Sequence, residues 1–277
     1  MTPVARRPPA RPAADPPRPR RFGWINWRGL WTLSWRDAFR YLRYGVESIG
    51  GPAVSSLLFL AVFSLALDGR GEMVPGVTLV QFIAPGIVVF SLTHSAFESA
   101  AVPIIYDKLE GMIGDVIGAP LTPLEITAGY LLSATGNGLV TGTVILALMA
   151  VFVELPLHAP LIVLGFAVAA SALFALVGIV VGLWSERWDN YSAADTFLIM
   201  PLGLLSGAFF TLEGVPEGAR WLFDLNPVFH AVQGFRYGFI GVAEAPLAVS
   251  AAVLVGLDLV LAALAWRLFA LGYKIKP

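Results

Sequence analysis

Cysteine is absent, histidine occurs three times, and charged residues make up only 13% of the 277-residue chain. Without a thiol there is no disulfide framework, no thiolate metal site and no thiol nucleophile. So little charge, beside 57% hydrophobic residues and a mean hydropathy of +0.75, leaves the chain too apolar for a water-soluble core. Also missing are a Gly-x-x-x-x-Gly-Lys-Ser/Thr phosphate loop, a His-Glu-x-x-His helix and a Gly-x-Ser-x-Gly turn. Catalytic residues and a metal site are therefore not expected, and any uphill work must draw on a partner ATPase or an ion gradient.

What is present is apolar length. Runs of about 20 residues, enough to cross some 30 Å of hydrocarbon as a helix, recur at residues 52–67, 82–102, 126–153, 161–184, 193–212 and 247–270. Continuous apolar runs exclude an outer-membrane barrel, whose strands alternate. Pro201 should kink the fifth run. Residues 213–245 are apolar but interrupted by Pro216, Pro227 and several glycines, a pattern suited to re-entrant or interfacial segments. The expected fold is an all-α membrane protein with six transmembrane helices in a permease domain over residues 29–272.

Positive charge is lopsided: ten arginines precede Ser48, and eight basic residues serve the rest of the chain. In a six-span arrangement fifteen lie on the side of the termini, against Arg70, Arg220 and Arg236 on the other. Both termini are expected in the cytoplasm of a bacterial inner-membrane protein. The asymmetry speaks for orientation and not for nucleic-acid binding. Residues 1–28, rich in proline and arginine and without the apolar core of a cleavable signal, are expected to be a disordered tail, and residues 273–277 a second, short one.

Residues 30–47 then take a helical period, with Trp31, Trp35, Ala38, Leu42 and Val46 on one face and Arg36, Arg40, Arg43 and Glu47 on another. The expected element is an interfacial helix. Trp27, Trp31 and Trp35 anchor it at headgroup level while Arg36, Arg40 and Arg43 reach lipid phosphates.

Titratable groups inside the spans are few: His94 and Glu98, one turn apart, and Asp258. They fit polar glue between helices, a cavity lining, or a proton relay. The last would serve a gradient-driven carrier or channel. The glycine pairs Gly138/Gly142, Gly178/Gly182 and Gly203/Gly207 fit close helix packing. Between the second and third spans, Leu109, Met112, Ile113, Val116 and Ile117 repeat at helical spacing within a polar stretch closed by Pro120 and Pro123. This short amphipathic helix suits a connector as well as a docking element.

Glu110-Gly111 followed by Ala119-Pro-Leu-Thr-Pro-Leu-Glu-Ile126 resembles the cytoplasmic signature of ATP-binding-cassette type-2 permeases, the group of polysaccharide, nodulation-factor and drug exporters. A second stretch is similar to that family's later pattern: Pro201-Leu-Gly-Leu-Leu-Ser-Gly-Ala-Phe-Phe210, Leu225-Asn-Pro-Val-Phe-His-Ala-Val232 and Arg236-Tyr-Gly238. His230 departs from the residue type expected after Asn-Pro. The resemblance implies a coupling helix at residues 107–118, in which Asp107, Lys108, Leu109, Glu110, Gly111, Met112 and Asp115 engage an ATPase. It also implies re-entrant helices before the last span, two copies paired around a pathway, and two separate ATPase subunits carrying ATP and Mg. The cargo implied is amphipathic: a lipid-linked glycan, a lipid or a hydrophobic drug. Phe90, His94, Phe97, Glu98, Phe209 and Phe210 are the candidate pathway residues.

Overall fold

The computed structural model describes residues 23–66, 72–74, 76–212 and 215–275. The expected Pro/Arg-rich tail falls mostly outside the described residues. Among them, helices are joined by turns and one small antiparallel ribbon of β1 (Glu72–Val74) and β2 (Val77–Thr78). Five helical stretches are long and apolar enough to span a bilayer: Val46–Leu65, Leu79–Leu109, Pro123–Met149, Pro160–Trp184 and Leu247–Leu271. The first is a π-helical turn (Val46–Gly50) running into α2 (Gly51–Ala66); the others are α3, α5, α6 and α11. The chain is a helical, multi-pass membrane protein.

The run at 193–212 does not form one long helix. Helix begins earlier, at α7 (Trp188–Ala194), passes through a π-helical segment (Asp195–Ile199) and closes with α8 (Met200–Leu204). Pro201 has no N–H to donate, Gly203 lies hard against the Phe90 ring, and Gly207 adopts φ +67°, a conformation that favours glycine. Helical continuation ends there. Downstream lie α9 (Trp221–Asp224) and α10 (Pro227–Ile240). The 14 residues of α10 cover about 21 Å, short of a crossing, yet the helix is almost entirely buried.

α3 is the centre of the bundle, packed by α5, α6 and α10. Glycines make the approach possible. A Cβ on Gly178 would lie 2.3 Å from the Phe97 carbonyl oxygen, and one on Gly138 2.7 Å from that of Leu92. Two of the three glycine pairs, Gly138/Gly142 on α5 and Gly178/Gly182 on α6, thus face α3 from different sides. Both ends of α3 are fixed. Thr78 and Gln81 form a capping box at its start, and Gly111, at φ +75°, follows its last turn.

Candidate functional site

α1 spans Trp27–Arg43, beginning three residues before the expected interfacial helix and ending four before its expected limit. Its buried face is Leu30, Leu33, Ser34, Asp37 and Tyr41. Trp27, Trp31, Trp35 and Phe39 form an exposed stripe in which Trp31 and Trp35 stack at 6.0 Å and Trp35 and Phe39 at 6.4 Å. Trp27, Trp31 and Trp35 lie on the outer face. Two of the arginines do not. Arg36 Nη2 donates to Asp107 Oδ2 at 2.8 Å and its Nε to Asp37 Oδ1 at 3.0 Å, while Arg40 Nη1 pairs with Asp107 Oδ1 at 3.3 Å. Asp37 and Asp107 are buried, and burial pushes the Asp37 carboxyl up against the pull of its arginines. An ionised carboxylate in that position recruits guanidinium more strongly than water-exposed lipid phosphate does. Arg43 alone of the three is exposed.

The segment expected as one coupling helix over 107–118 is divided. Asp107, Lys108 and Leu109 belong to the last turn of α3, Glu110 to Met112 form a turn around Gly111, and α4 is Ile113–Gly118. Asp107 is committed to α1. Lys108 Nζ donates to the carbonyls of Gly182 (3.3 Å) and Leu183 (2.7 Å) and to that of Ser185, capping the C-terminus of α6. Ile113 and Val116 are buried, leaving Leu109, Glu110, Gly111, Met112, Asp115 and Ile117 exposed as a small apolar and acidic knob. Beside it a cleft of about 810 Å³ separates α4 from the start of α1, with Trp27, Arg28, Asp115 and Leu121 among its walls.

The Pro-Leu-Thr-Pro-Leu-Glu stretch has a physical role here. Thr122 and Glu125 form the capping box of α5 (Pro123–Met149). Glu125 Oε1 also accepts the backbone N–H of Asn26, and Asn26 Nδ2 donates to the Pro120 carbonyl at 3.0 Å. Ser34 Oγ to the Gly129 carbonyl and Tyr41 Oη to Thr141 Oγ1 extend the seam along α5. These contacts join α1 to α5 and to the base of the knob.

Of the pathway candidates, Phe90, His94 and Phe209 line one cavity of about 230 Å³ between α2, α3 and α8, and Phe209 stacks on Phe63 at 5.4 Å. Glu98 lines a second cavity, of about 480 Å³, between α3 and the end of α1. Phe97 and Phe210 are placed elsewhere. Phe97 is fully buried, stacked on Tyr191 at 5.7 Å, and Phe210 packs edge-on against Phe223 at 5.5 Å. Phe97 fills core, because on α3 position 97 faces α6 while 94 and 98 face the other way, and Phe210 is half-buried in the unwound stretch after α8.

His94 Nε2 lies 3.0 Å from Asp195 Oδ1, a partner 101 residues away that its sequence neighbours gave no reason to expect. Asp258 is on α11 (Leu247–Leu271), which packs on α6, α10 and α5, and among the described residues no hydrogen bond or ion pair joins it to His94 or Glu98. His230 is a satisfied core residue, with Nδ1 3.0 Å from Ser250 Oγ and Nε2 2.9 Å from the Asp224 carbonyl. Arg236 is fully buried: its Nη2 donates to the Gly207 carbonyl at 2.7 Å, its Nε to that of Phe82 at 3.3 Å, and Glu244 lies 3.6 Å from Nη1. Asn226 Nδ2 binds the Leu202 and Leu205 carbonyls, both at 2.8 Å. Arg236 and Asn226 together satisfy the backbone that the broken α7–α8 helix leaves open.

Residues 28–240, from the first turn of α1 to the last residue of α10, match the ABC-2 type transporter family. The chain belongs to that family. The inner membrane transport permease YadH of Escherichia coli (strain K12) is 28% identical over 253 residues, 91% of this chain and 98% of the relative. Nodulation protein J of Rhizobium leguminosarum bv. viciae is 25% identical over 228 residues, 79% and 84% of the two chains, and that of Rhizobium meliloti (strain 1021) 24% over 225. An ABC-2 transporter chain with five candidate spans is a transmembrane transport subunit.

Proposed function

We propose that this chain is the membrane-spanning half of an ATP-driven exporter in the bacterial inner membrane. Two copies pair around a pathway, and each seats a separate ATPase subunit that carries ATP and Mg. The observation that bears most of this reading is the exposed knob of Leu109, Glu110, Met112 and Ile117 at the end of the central helix, braced by α1 and α5. Such a knob suits a cleft on a soluble motor. The arginine excess supports a cytoplasmic side for the knob and both termini. Under this reading α7–α8 is the fifth crossing in chain order, completed by the unwound residues after Leu204, and α9–α10 is a re-entrant hairpin whose backbone is satisfied by protein and not by lipid. The cargo is amphipathic, in the class of lipid-linked glycans, lipids and hydrophobic drugs, and meets the Phe90, His94 and Phe209 cavity. Export supported by a partner fits a chain without a phosphate loop of its own.

Co-expression with the ATPase encoded nearest to this chain is the test. Co-purification in a two-to-two complex, with transport that requires ATP, is the expected result. Absence of any ATPase partner, with activity that follows a proton gradient through His94, Asp195 and Glu98, overturns the reading in favour of a gradient-driven carrier.

A further inference from the structure

Ile87, Ser91, His94, Glu98, Val102 and Tyr106 follow one another at three- and four-residue steps, so they form a single stripe along α3. The 230 Å³ cavity takes the first three, and the 480 Å³ cavity takes the last three. The two spaces are thus consecutive stations on one helix face, bounded on the other side by the continuous run from α1 through the π-helical turn into α2. Their linings differ in kind. The upper one is apolar and aromatic, with Phe59, Phe90 and Phe209 around Ser56 and Ser91. The lower one has tyrosines 41, 44 and 106 and two carboxylates, Glu47 and Glu98.

Charge decides what the lower station can hold. Its cation, Arg40, belongs to the set Arg36, Arg40, Asp37 and Asp107, which contains two charges of each sign and is closed on itself. Arg40 is also held over the Tyr106 ring, 5.8 Å from its centroid. Glu47 and Glu98 are left over. Among the described residues neither carboxylate has a hydrogen bond or ion pair, although Glu98 is half-buried, and His94, one turn away on α3, has its Nε2 paired with Asp195 Oδ1 at 3.0 Å. A carboxylate withdrawn from bulk water is costly without a counter-charge, and an electron-rich tyrosine ring attracts a cation to its face.

We propose that the lower cavity is a headgroup site for cationic amphiphiles, with the amine or quaternary ammonium held between Glu98, Glu47, Tyr44 and Tyr106 and the apolar body directed along the α3 stripe toward Phe90 and Phe209. The proposal rests on the exporter reading and narrows it. A phosphate or pyrophosphate head, as a lipid-linked glycan carries, meets two carboxylates and no free cation in this cavity, so anionic cargo is disfavoured. The volume, within the range of small-molecule pockets, accommodates a trimethylammonium group and its first methylenes.

The test is binding to the purified full-length chain in neutral maltoside micelles. Decyltrimethylammonium, decyl phosphate and decyl glucoside, which share a tail, are titrated with protein-free micelles subtracted. The expected order places decyltrimethylammonium at least tenfold tighter than decyl phosphate, and Glu98→Gln removes about tenfold of its affinity while leaving decyl glucoside unchanged. Glu98→Asp retains most of the affinity, and Tyr106→Ala loses about threefold. Should Glu98→Gln not yield folded protein, the exposed Glu47→Gln carries the same comparison. Equal binding of the cationic and anionic amphiphiles, or a cation affinity indifferent to both glutamates, overturns the headgroup site. That result leaves the ATPase co-purification standing, whereas loss of the ATPase partner with cation binding intact would remove only the energy source.

Discussion

Asp107 Oδ2 accepts a hydrogen bond from Arg36 Nη2 at 2.8 Å, across 71 residues of sequence, in a carboxylate with no exposed surface. Removing that charge leaves two guanidinium groups to share Asp37 alone. Asp107→Asn is expected to lower stability by about 3 kcal/mol, at the low end for breaking a buried pair because Arg36 and Arg40 keep some water. Adding Arg36→Gln should restore part of the loss. The midpoint of denaturant unfolding in detergent measures both, and an Asp107→Asn midpoint equal to that of the parent would remove the network as a structural element.

Glycines 165 and 178 lie on the same helix and predict opposite outcomes. A Cβ at Gly178 collides with the Phe97 carbonyl at 2.3 Å, while one at Gly165 meets nothing within 4 Å. Gly178→Ala should therefore destabilise by about 1–3 kcal/mol through overpacking of α6 on α3. Gly165→Ala should be neutral or gain up to about 1 kcal/mol from reduced freedom of the unfolded chain. The same unfolding midpoints report this contrast, and equal costs at the two positions would contradict the packing of α6 on α3.

Glu110→Lys combined with Met112→Asp reverses the charge and apolarity of the exposed knob without touching a buried contact. Membrane insertion and stability should stay at the parent level. Substrate-stimulated ATP hydrolysis by the reconstituted complex should fall to the basal rate. Full stimulation in the double variant would take the docking role away from this turn.

Lys274 Nζ lies 2.7 Å from Glu186 Oε1, tying the end of the chain to the turn after α6. The hydrogen bond from Lys274 holds Glu186 below the usual carboxylate range, and the one to Glu186 holds Lys274 above the usual lysine range. A lowered carboxylate contributes above its unfolded value and is lost as pH falls through the folded one; a raised lysine contributes below its unfolded value and is lost as pH rises through the folded one. The tether is thus present at neutral pH and released at both extremes. Hydrogen exchange of residues 272–275, corrected for its intrinsic pH dependence, should rise below the carboxylate range in the parent, and Glu186→Gln should raise it at neutral pH.

Much of this arrangement is legible in the sequence, and what escaped it shares a cause. Length and hydropathy place α5, α6 and α11 within a few residues, because a bilayer imposes a minimum apolar length. The tryptophan stripe of α1 is equally readable. The direction of Arg36 and Arg40 is not, since the Asp107 that turns them inward is distant in the chain. A signal did exist in Asp37, which shares a helical face with Leu30, Leu33 and Tyr41 where lipid would be a poor neighbour. The pairing of His94 with Asp195 is long-range in the same way, and Phe97 turned inward because the neighbouring glycine of α6 belongs to another span. The shortened α7–α8 was half visible in Pro201 and Gly207, but apolar composition alone does not tell a crossing helix from one that unwinds.

The 31 residues of α3, with Pro85 and Pro103 inside the helix, make a rod about 46 Å long, roughly half as long again as the hydrocarbon it crosses. With the glycine contacts of α5 and α6 as a fulcrum near its middle, such a rod is a lever. A tilt of about 10° carries its far end several ångströms while the bundle keeps its neighbours, and bound Asp107 drags α1 along with it. A push on the Gly111 turn would therefore reach the cavities beside His94 and Glu98 through rotation of α3, with Pro103, between that turn and Glu98, as the point where the helix can bend.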